Sequence, residues 1–311
     1  MLIKSADDKQ PQIDALNALL ARPDVDPATR RKIDTEIRQM RAGVAGERDA
    51  AYEIEFDSGP SRNRMTIHDL RLEVDGRVAQ IDHLIITRLL DFWVCESKHF
   101  AEGVAINDHG EWTAFYGRQG RGIASPVEQN RKHIEVLCGV FDKGLVKLPR
   151  RLGITIRARY MSVILISNKA RITRPRGAAA ARVNGLDTVM KAEQLFKAID
   201  RDFDNRNIGA IVKVVRSDTI ERLARELAAL HRPASVDWAA RFGLAPTLPA
   251  RLAAAEAGLG NDVSEAPLQA CDSCGKRVSE KEFQYCLDRA DRFKGRTLCY
   301  DCQRRVRVPA T

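Results

Sequence analysis

The chain has 311 residues, 44% hydrophobic and 30% charged, the balance of a soluble globular protein with room for more than one domain. No apolar run nears the roughly 20 residues that span a bilayer, and the opening MLIKSADDKQ lacks the apolar stretch of a secretory leader, so no membrane partner is expected and the expected location is cytoplasmic. A formal net charge of +9 favours polyanionic partners such as nucleic acid.

Residues 11–42 read as helical. Leu16, Leu19 and Leu20 recur at helical spacing, Pro23 to Pro27 interrupts, and a second helix spans 27–40. Gly43 and Gly46 are read as its punctuation, with a third helix over 47–54. The period then changes. Ile67, Leu70, Leu72 and Val74 mark a strand over 65–74, Asp75-Gly76 is a hairpin turn, and 78–87 and 92–99 are two further strands. Short strands over 103–106 and 112–116 flank an Asp108-His109-Gly110 turn. Ser125-Pro126 opens a helix that runs through Leu137. A buried strand over 159–167 and helices over 189–199 and 218–231 follow. The expected fold class is α/β, a mixed sheet flanked by helices. The expected domains are an N-terminal helical segment (1–42), a sheet domain (43–215), a helix and linker (216–267) with 251–257 as a short helix, and a cysteine module (268–311).

Two of the strands hold ionisable groups among apolar ones: Gln80-Ile81-Asp82-His83 and Cys95-Glu96-Ser97-Lys98. Alternation puts Glu96 and Lys98 on one face and turns Cys95 and Ser97 to the other. With the intervening turn centred on Leu89, Asp82 opposes Glu96, and directly opposed side chains stand roughly 5 Å apart. Two carboxylates so close repel each other unless a cation or a shared proton compensates. Hard oxygen ligands suit Mg²⁺ or Mn²⁺, with the Ser97 carbonyl as a further donor and Lys98 beside the ion. Gln80, two residues before Asp82, shares its face and is a candidate for holding substrate. His83 is read as a core histidine facing away.

This series resembles the nuclease-related domain (NERD) family of the PD-(D/E)xK nuclease superfamily, from about Gly43 to Leu137 with weaker continuation to about Ile199. The resemblance rests on Gly46-Glu47, the QIDH run, Glu96-Ser97-Lys98, Gly103, Trp112 and Ser125-Pro126-x-x-Gln129. It implies a nuclease-like sheet, Asp82 and Glu96 as metal ligands, and Lys98 as the catalytic lysine. It also implies Glu47 as a supplementary helix carboxylate and Gln129 as a polar residue of the pocket. The chain departs from the family pattern at Ser97, His99 and Ser125, where Thr, Asn and Asn are usual.

From 143 to 186 there is no Asp or Glu but eleven Lys or Arg, and Arg171, Arg174 and Arg176 are the candidate phosphate contacts. Near the C-terminus, Cys271-x-x-Cys274 and Cys299-x-x-Cys302 stand 24 residues apart, which predicts a structural Zn²⁺ in a ribbon with a helix inserted near 280–292. Lys294, Arg296, Arg304, Arg305 and Arg307 give that ribbon a basic edge. The function expected is Mg²⁺-dependent hydrolysis of DNA, with the ribbon aiding substrate or partner binding. The alternative is a catalytically inactive nucleic-acid-binding or protein-interaction module in a defence or DNA-processing system. A homodimer would suit double-strand cutting, and the ribbon would suit a protein partner.

Overall fold

The computed structural model describes residues 1–58, 61–117, 119–206, 214–245, 270–276, 278, 280–287 and 289–306. Two compact units are present, Met1–Ala245 and Pro246–Thr311.

The first unit opens with β1 (Leu2–Lys4), α1 (Gln10–Leu20) and α2 (Pro27–Ser58). The break expected after residue 40 does not occur. Gly43 and Gly46 lie inside one 32-residue helix. Packing overrides the weak helix propensity of glycine, because α2 is anchored on both sides of them. Ile33 and Ile37 join α1 and Trp238 in one apolar cluster, and Ala50 and Ile54 pack on the sheet in another.

Next come β2 (Arg64–Val74), β3 (Arg77–Thr87) and β4 (Asp91–Lys98). Asp75 and Gly76, at φ +51° and +71°, make the tight turn between β2 and β3 that the sequence announces. A second small sheet is begun by β5 (Gly103–Ile106), β6 (Trp112–Tyr116) and β7 (Gln119–Ile123). The helix expected at Ser125-Pro126 is α3 (Pro126–Asp142), whose Ser125 hydroxyl accepts from the Glu128 amide at 3.4 Å. The chain continues through a hairpin of β8 (Arg150–Arg151) and β9 (Ile154–Thr155), then β10 (Arg159–Ile166) and β11 (Arg171–Thr173). The helix expected over 189–199 starts late. Its first residues form β12 (Val189–Lys191) on the edge of the large sheet, and α4 runs over Leu195–Asp204. The unit ends with α5 (Ser217–Ala229) and α6 (Trp238–Arg241).

The large sheet is six-stranded and mixed, in the order β1-β2-β3-β4-β10-β12, and the small one is β11-β5-β6-β7. Antiparallel pairing joins β2, β3 and β4, while β10 runs parallel to both β4 and β12. One face packs on α3 and α5 through Leu84, Ile86, Phe92, Val94, Leu137 and Leu223. The other packs on α2 and α4 through Ile85, Trp93, Cys95, Ile54 and Leu195. A third cluster, with Trp112 and Ile164, fills the space between the two sheets.

In the second unit, α7 (Glu280–Leu287), α8 (Ala290–Phe293) and α9 (Tyr300–Arg305) surround Phe293, Leu298 and the buried Cys286. The expected insert is thus helical. The region 251–257, Arg307 and most of the expected linker lie outside the described residues. Among the described residues no helix is long and apolar enough to cross a membrane.

Candidate active site

The β3–β4 register is His83↔Cys95, Leu84↔Val94 and Ile85↔Trp93, the offset expected from a turn at Leu89. The ladder stops at His83, and a departure from simple alternation explains why. Ile67 and Leu70 on β2, and Ile81 and Leu84 on β3, all enter the same core cluster, so each strand changes phase between them. Asp69 sits at the change in β2 with φ +50°. It falls between the pairs His68↔His83 and Leu70↔Ile81, across from Asp82. The phase change turns Asp82 toward the amide side of β4. Its Oδ2 accepts from the Ser97 amide at 2.7 Å and from the Ser97 hydroxyl at 2.8 Å. Ser97 therefore does not point away from the site, as alternation alone would have it. It clamps one oxygen of Asp82.

Glu96 is 2% exposed. Its Oε1 accepts from Lys98 Nζ at 2.6 Å, and its Oε2 lies 3.4 Å from His133 Nδ1 on α3. That second contact lacks hydrogen-bond alignment, so Glu96 Oε2 and His133 Nδ1 are both buried without a partner. Asp82, Glu96, Ser97, Lys98, Glu47, Gln80, Gln129 and His133 all line one cleft of about 990 Å³. The cleft brings together all five residues expected to be catalytic.

Each has a structural reason for its place. Glu47 enters from α2, which passes so close to β4 that a Cβ on Gly46 would sit 2.5 Å from the Cβ of His99. Gln129 and His133 are one helical turn apart on α3. Between them the fully buried Asn130 amide donates to the Val94 carbonyl at 2.8 Å and to the Ser162 hydroxyl at 2.9 Å, tying α3 to β4 and β10. Gln80 is committed within the protein: its amide donates to Asp69 Oδ1 at 2.7 Å. Asp69, 2% exposed, is balanced by Lys9 at 2.6 Å and the Asp7 amide at 3.2 Å.

The electrostatics follow from this crowding. Burial, then the charges of Glu96 and Glu47, raise the Asp82 carboxyl well above its usual range, against the Ser97 hydrogen bonds. Burial and the Asp69 charge, with a smaller push from Glu96, lift Glu47 to about 7, against Lys9 and Lys98. Three carboxyls, Asp82, Glu96 and Glu47, thus press on one another, and Lys98 is paired with Glu96 through one oxygen only.

Arg171, Arg174 and Arg176 lie on β11 and the segment after it and do not line the cleft. Arg174 donates to the Val189 carbonyl at 2.6 Å, a structural contact of the sheet edge. The cleft's arginines are Arg38 and Arg121 instead. Charge counting along the chain could not find them, since one sits on a helix and the other on a Gly-rich strand. Asp69, Asn130 and His133 were also missed. A lone Asp among β-formers marks the first, and the spacing of His133 from Gln129 marks the last.

The model of the nuclease-related domain (NERD) family matches residues 42–157. Residues 42–157 are similar to the nuclease-related domain. The match spans the end of α2 that bears Glu47, β2 to β7, and α3, hence every cleft residue named above except Arg38. No curated protein matches the chain, and no solved structure does. The mixed sheet flanked by helices that the sequence implied is the fold of the first unit, and the match covers its antiparallel strands β2, β3 and β4 together with α3.

In the second unit, Cys271, Cys274, Cys299 and Cys302 bring their sulfurs within 4.8 Å of one another. Among the described residues this is the one group of three or more Cys, His or carboxylate ligands gathered so closely. The Cys274–Cys299 sulfurs are 3.6 Å apart, near the edge of about 3.8 Å that a tetrahedron of ~2.3 Å Zn–S bonds requires. Gly275, at φ +71°, turns the first knuckle and returns its amide to the Cys271 carbonyl at 2.9 Å. The cluster is compatible with a zinc ribbon. Cys286 is not part of it. Its sulfur accepts from the Leu298 amide and the Gln303 side chain in the ribbon core.

Proposed function

We propose that the NERD domain hydrolyses phosphodiester bonds of DNA with a divalent cation, Mg²⁺ or Mn²⁺, and that the cysteine module is a structural zinc ribbon that assists substrate or partner binding. The observation that carries the reading is the convergence of Asp82, Glu96 and Lys98 in one cleft, with a buried Glu96 oxygen that has no hydrogen-bond partner. Hard carboxylate oxygens fit such a cation, and Mg²⁺ in particular binds through one or two carboxylates while keeping several waters. That suits a cleft whose acids do not close into a tight cluster. Asp82, through its unclamped Oδ1, and Glu96 would hold the ion, which when bound would acidify a water and polarise the phosphate.

The protein groups divide the remaining work. The Ser97 clamp on Asp82 fixes the direction of the free oxygen. Lys98, held by Glu96 Oε1, puts a positive charge where the phosphate gains negative charge in the transition state. Glu47 supplements the acid set from the opposite element, and Gln129 and His133 line the pocket from α3. Gln80 acts through Asp69, not on substrate directly.

The test is to incubate plasmid and linear DNA with the protein and Mg²⁺ or Mn²⁺, beside Asp82→Ala and Lys98→Ala. Cleavage is expected from the wild type, with each variant slower by about 10²-fold or more. Equal cleavage by Asp82→Ala would refute the assignment.

A further inference from the structure

The cleft has one wall to which the metal chemistry gives no task. β6 ends at Tyr116, which lines the cleft and is 56% exposed. Trp112 and Ala114 precede it on the same face of the strand, and both are buried in the cluster between the sheets. Tyr116 continues that inward row past the end of the cluster, so its ring overhangs the cleft instead of entering a core.

Its position is fixed. Tyr116 pairs with Gln119 across the hairpin. Between them Gly117, at φ +64°, donates its amide to Glu102 Oε1 at 2.7 Å. A large aromatic ring is thus set in water, beside cations, on a backbone pinned at the end of the hairpin. Arg121 on β7 lines the same cleft and is exposed, and its guanidinium has no hydrogen bond or ion pair among the described residues. Arg38 on α2 bonds only within its own helix, to the Asp34 carbonyl and the Thr35 hydroxyl.

We propose that Tyr116 is a stacking platform for an unpaired nucleobase, with Arg121 and Arg38 holding the adjoining phosphates. The substrate class is then single-stranded or frayed nucleic acid. An aromatic face beside guanidinium groups matches what unpaired strands offer, a free π-surface on every base and a regular row of phosphates. A closed duplex keeps its bases stacked inward and offers the ring nothing. The inference rests on the hydrolase reading for the location of the scissile phosphate, but its physical content is a binding preference.

The experiment measures fluorescence anisotropy of a labelled short oligothymidylate and of a labelled hairpin-closed duplex, with the full zinc-loaded chain in buffer without added Mg²⁺ or Mn²⁺, so that no cleavage intervenes. Tyr116→Ala is expected to weaken single-strand binding about ten-fold and to leave duplex binding unchanged, while Tyr116→Phe binds like the wild type. Tyr116→Thr, which suits a strand, replaces the alanine variant if that one melts early. Undiminished single-strand binding in these variants, or an equal loss on both ligands, overturns the proposal. Cleavage is scored separately with Mg²⁺. Cutting that needs Asp82 but ignores Tyr116 would sink the platform and keep the hydrolase. Single-strand binding that needs Tyr116, in a protein that never cuts, would do the reverse.

Discussion

Two glycines three residues apart in α2 should respond to alanine in opposite ways. A Cβ at Gly43 would meet nothing within 4 Å, so Gly43→Ala gains the intrinsic helix preference of alanine, about 1 kcal/mol. A Cβ at Gly46 would lie 2.5 Å from His99 Cβ, about 0.9 Å inside the 3.4 Å of ordinary contact. The far end of the histidine can swing aside, but its Cβ cannot, so α2 and the end of β4 must part. Overpacking of this kind costs about 1–3 kcal/mol, and so deep an overlap lies at the upper end, so after the propensity gain Gly46→Ala is destabilised by about 2 kcal/mol. The partner variant that relieves it is His99→Gly, which removes the clashing atom. His99→Ala retains that atom and should give no relief. In the His99→Gly background Gly46→Ala should become stabilising. The assay is urea unfolding followed by tryptophan fluorescence, since Trp93, Trp112 and Trp238 all lie in the first unit and report on it alone. A loss of about 2 kcal/mol corresponds to a fall in Tm of about 4–8 °C for a unit of this size. If Gly46→Ala stabilises the wild type as Gly43→Ala does, the close approach that positions Glu47 is not real.

Further outcomes can be measured on the same protein. Asp82→Asn removes a charge crowded by Glu96 and Glu47, so in EDTA it should raise stability by about 1 kcal/mol while removing any cleavage activity. Unchanged or lowered stability in EDTA would refute the crowding. The buried His68, with its ring 2.8 Å from His83, is lowered to about 4 by burial and the Lys4 charge, and so folds neutral. Its stabilisation is full above the unfolded value near 6.5 and is lost as pH falls toward 4, worth about 3 kcal/mol across that window. Urea midpoints of wild type and His68→Gln should therefore converge on acidification, and parallel curves would contradict this. Chelation should release about one zinc per chain, read with a colorimetric dye, and Cys302→Ser should bind less. The tryptophan signal of the first unit should stay constant throughout. Zinc-free protein with an intact ribbon would overturn that ligand set.

Most of the sheet could be read from the chain because its signals are local. Asp75-Gly76 fixes one hairpin, Ser125-Pro126 opens α3, and the Leu89-centred turn sets the β3–β4 register. Glu96 and Lys98 stand out as charges in a buried run. What escaped depends on distant contacts. The unbroken α2 contradicts its own glycines, since the clusters at Ile37 and Ile54 decide. The phase change at Asp69 and Asp82 has no turn residue to announce it, and it alone explains why Ser97 faces the site. The edge strand β12 is stabilised by parallel pairing with β10, which no periodicity within three residues can show. Arg38 and Arg121 come to one cleft from separate elements, whereas the acid-free basic stretch 143–186 supplies none of its lining.

The continuity of α2 also bears on where this domain can be said to start. The family resemblance begins at residue 42, in the middle of a rod of roughly 48 Å at 1.5 Å per residue. A chain cut there would lose the edge strand β1 and the Lys9–Asp69 pair, and would keep the other five strands of the large sheet and the Asp82–Ser97 clamp. It would leave Glu47 on a stub five residues from a frayed end, steadied from its C-terminal side alone, by Ala50, Ile54 and the Glu53–Asn168 bond. The amino-terminal helices thus behave as the second bearing of a shaft, and the acid mounted between the two bearings is the part that would wobble first.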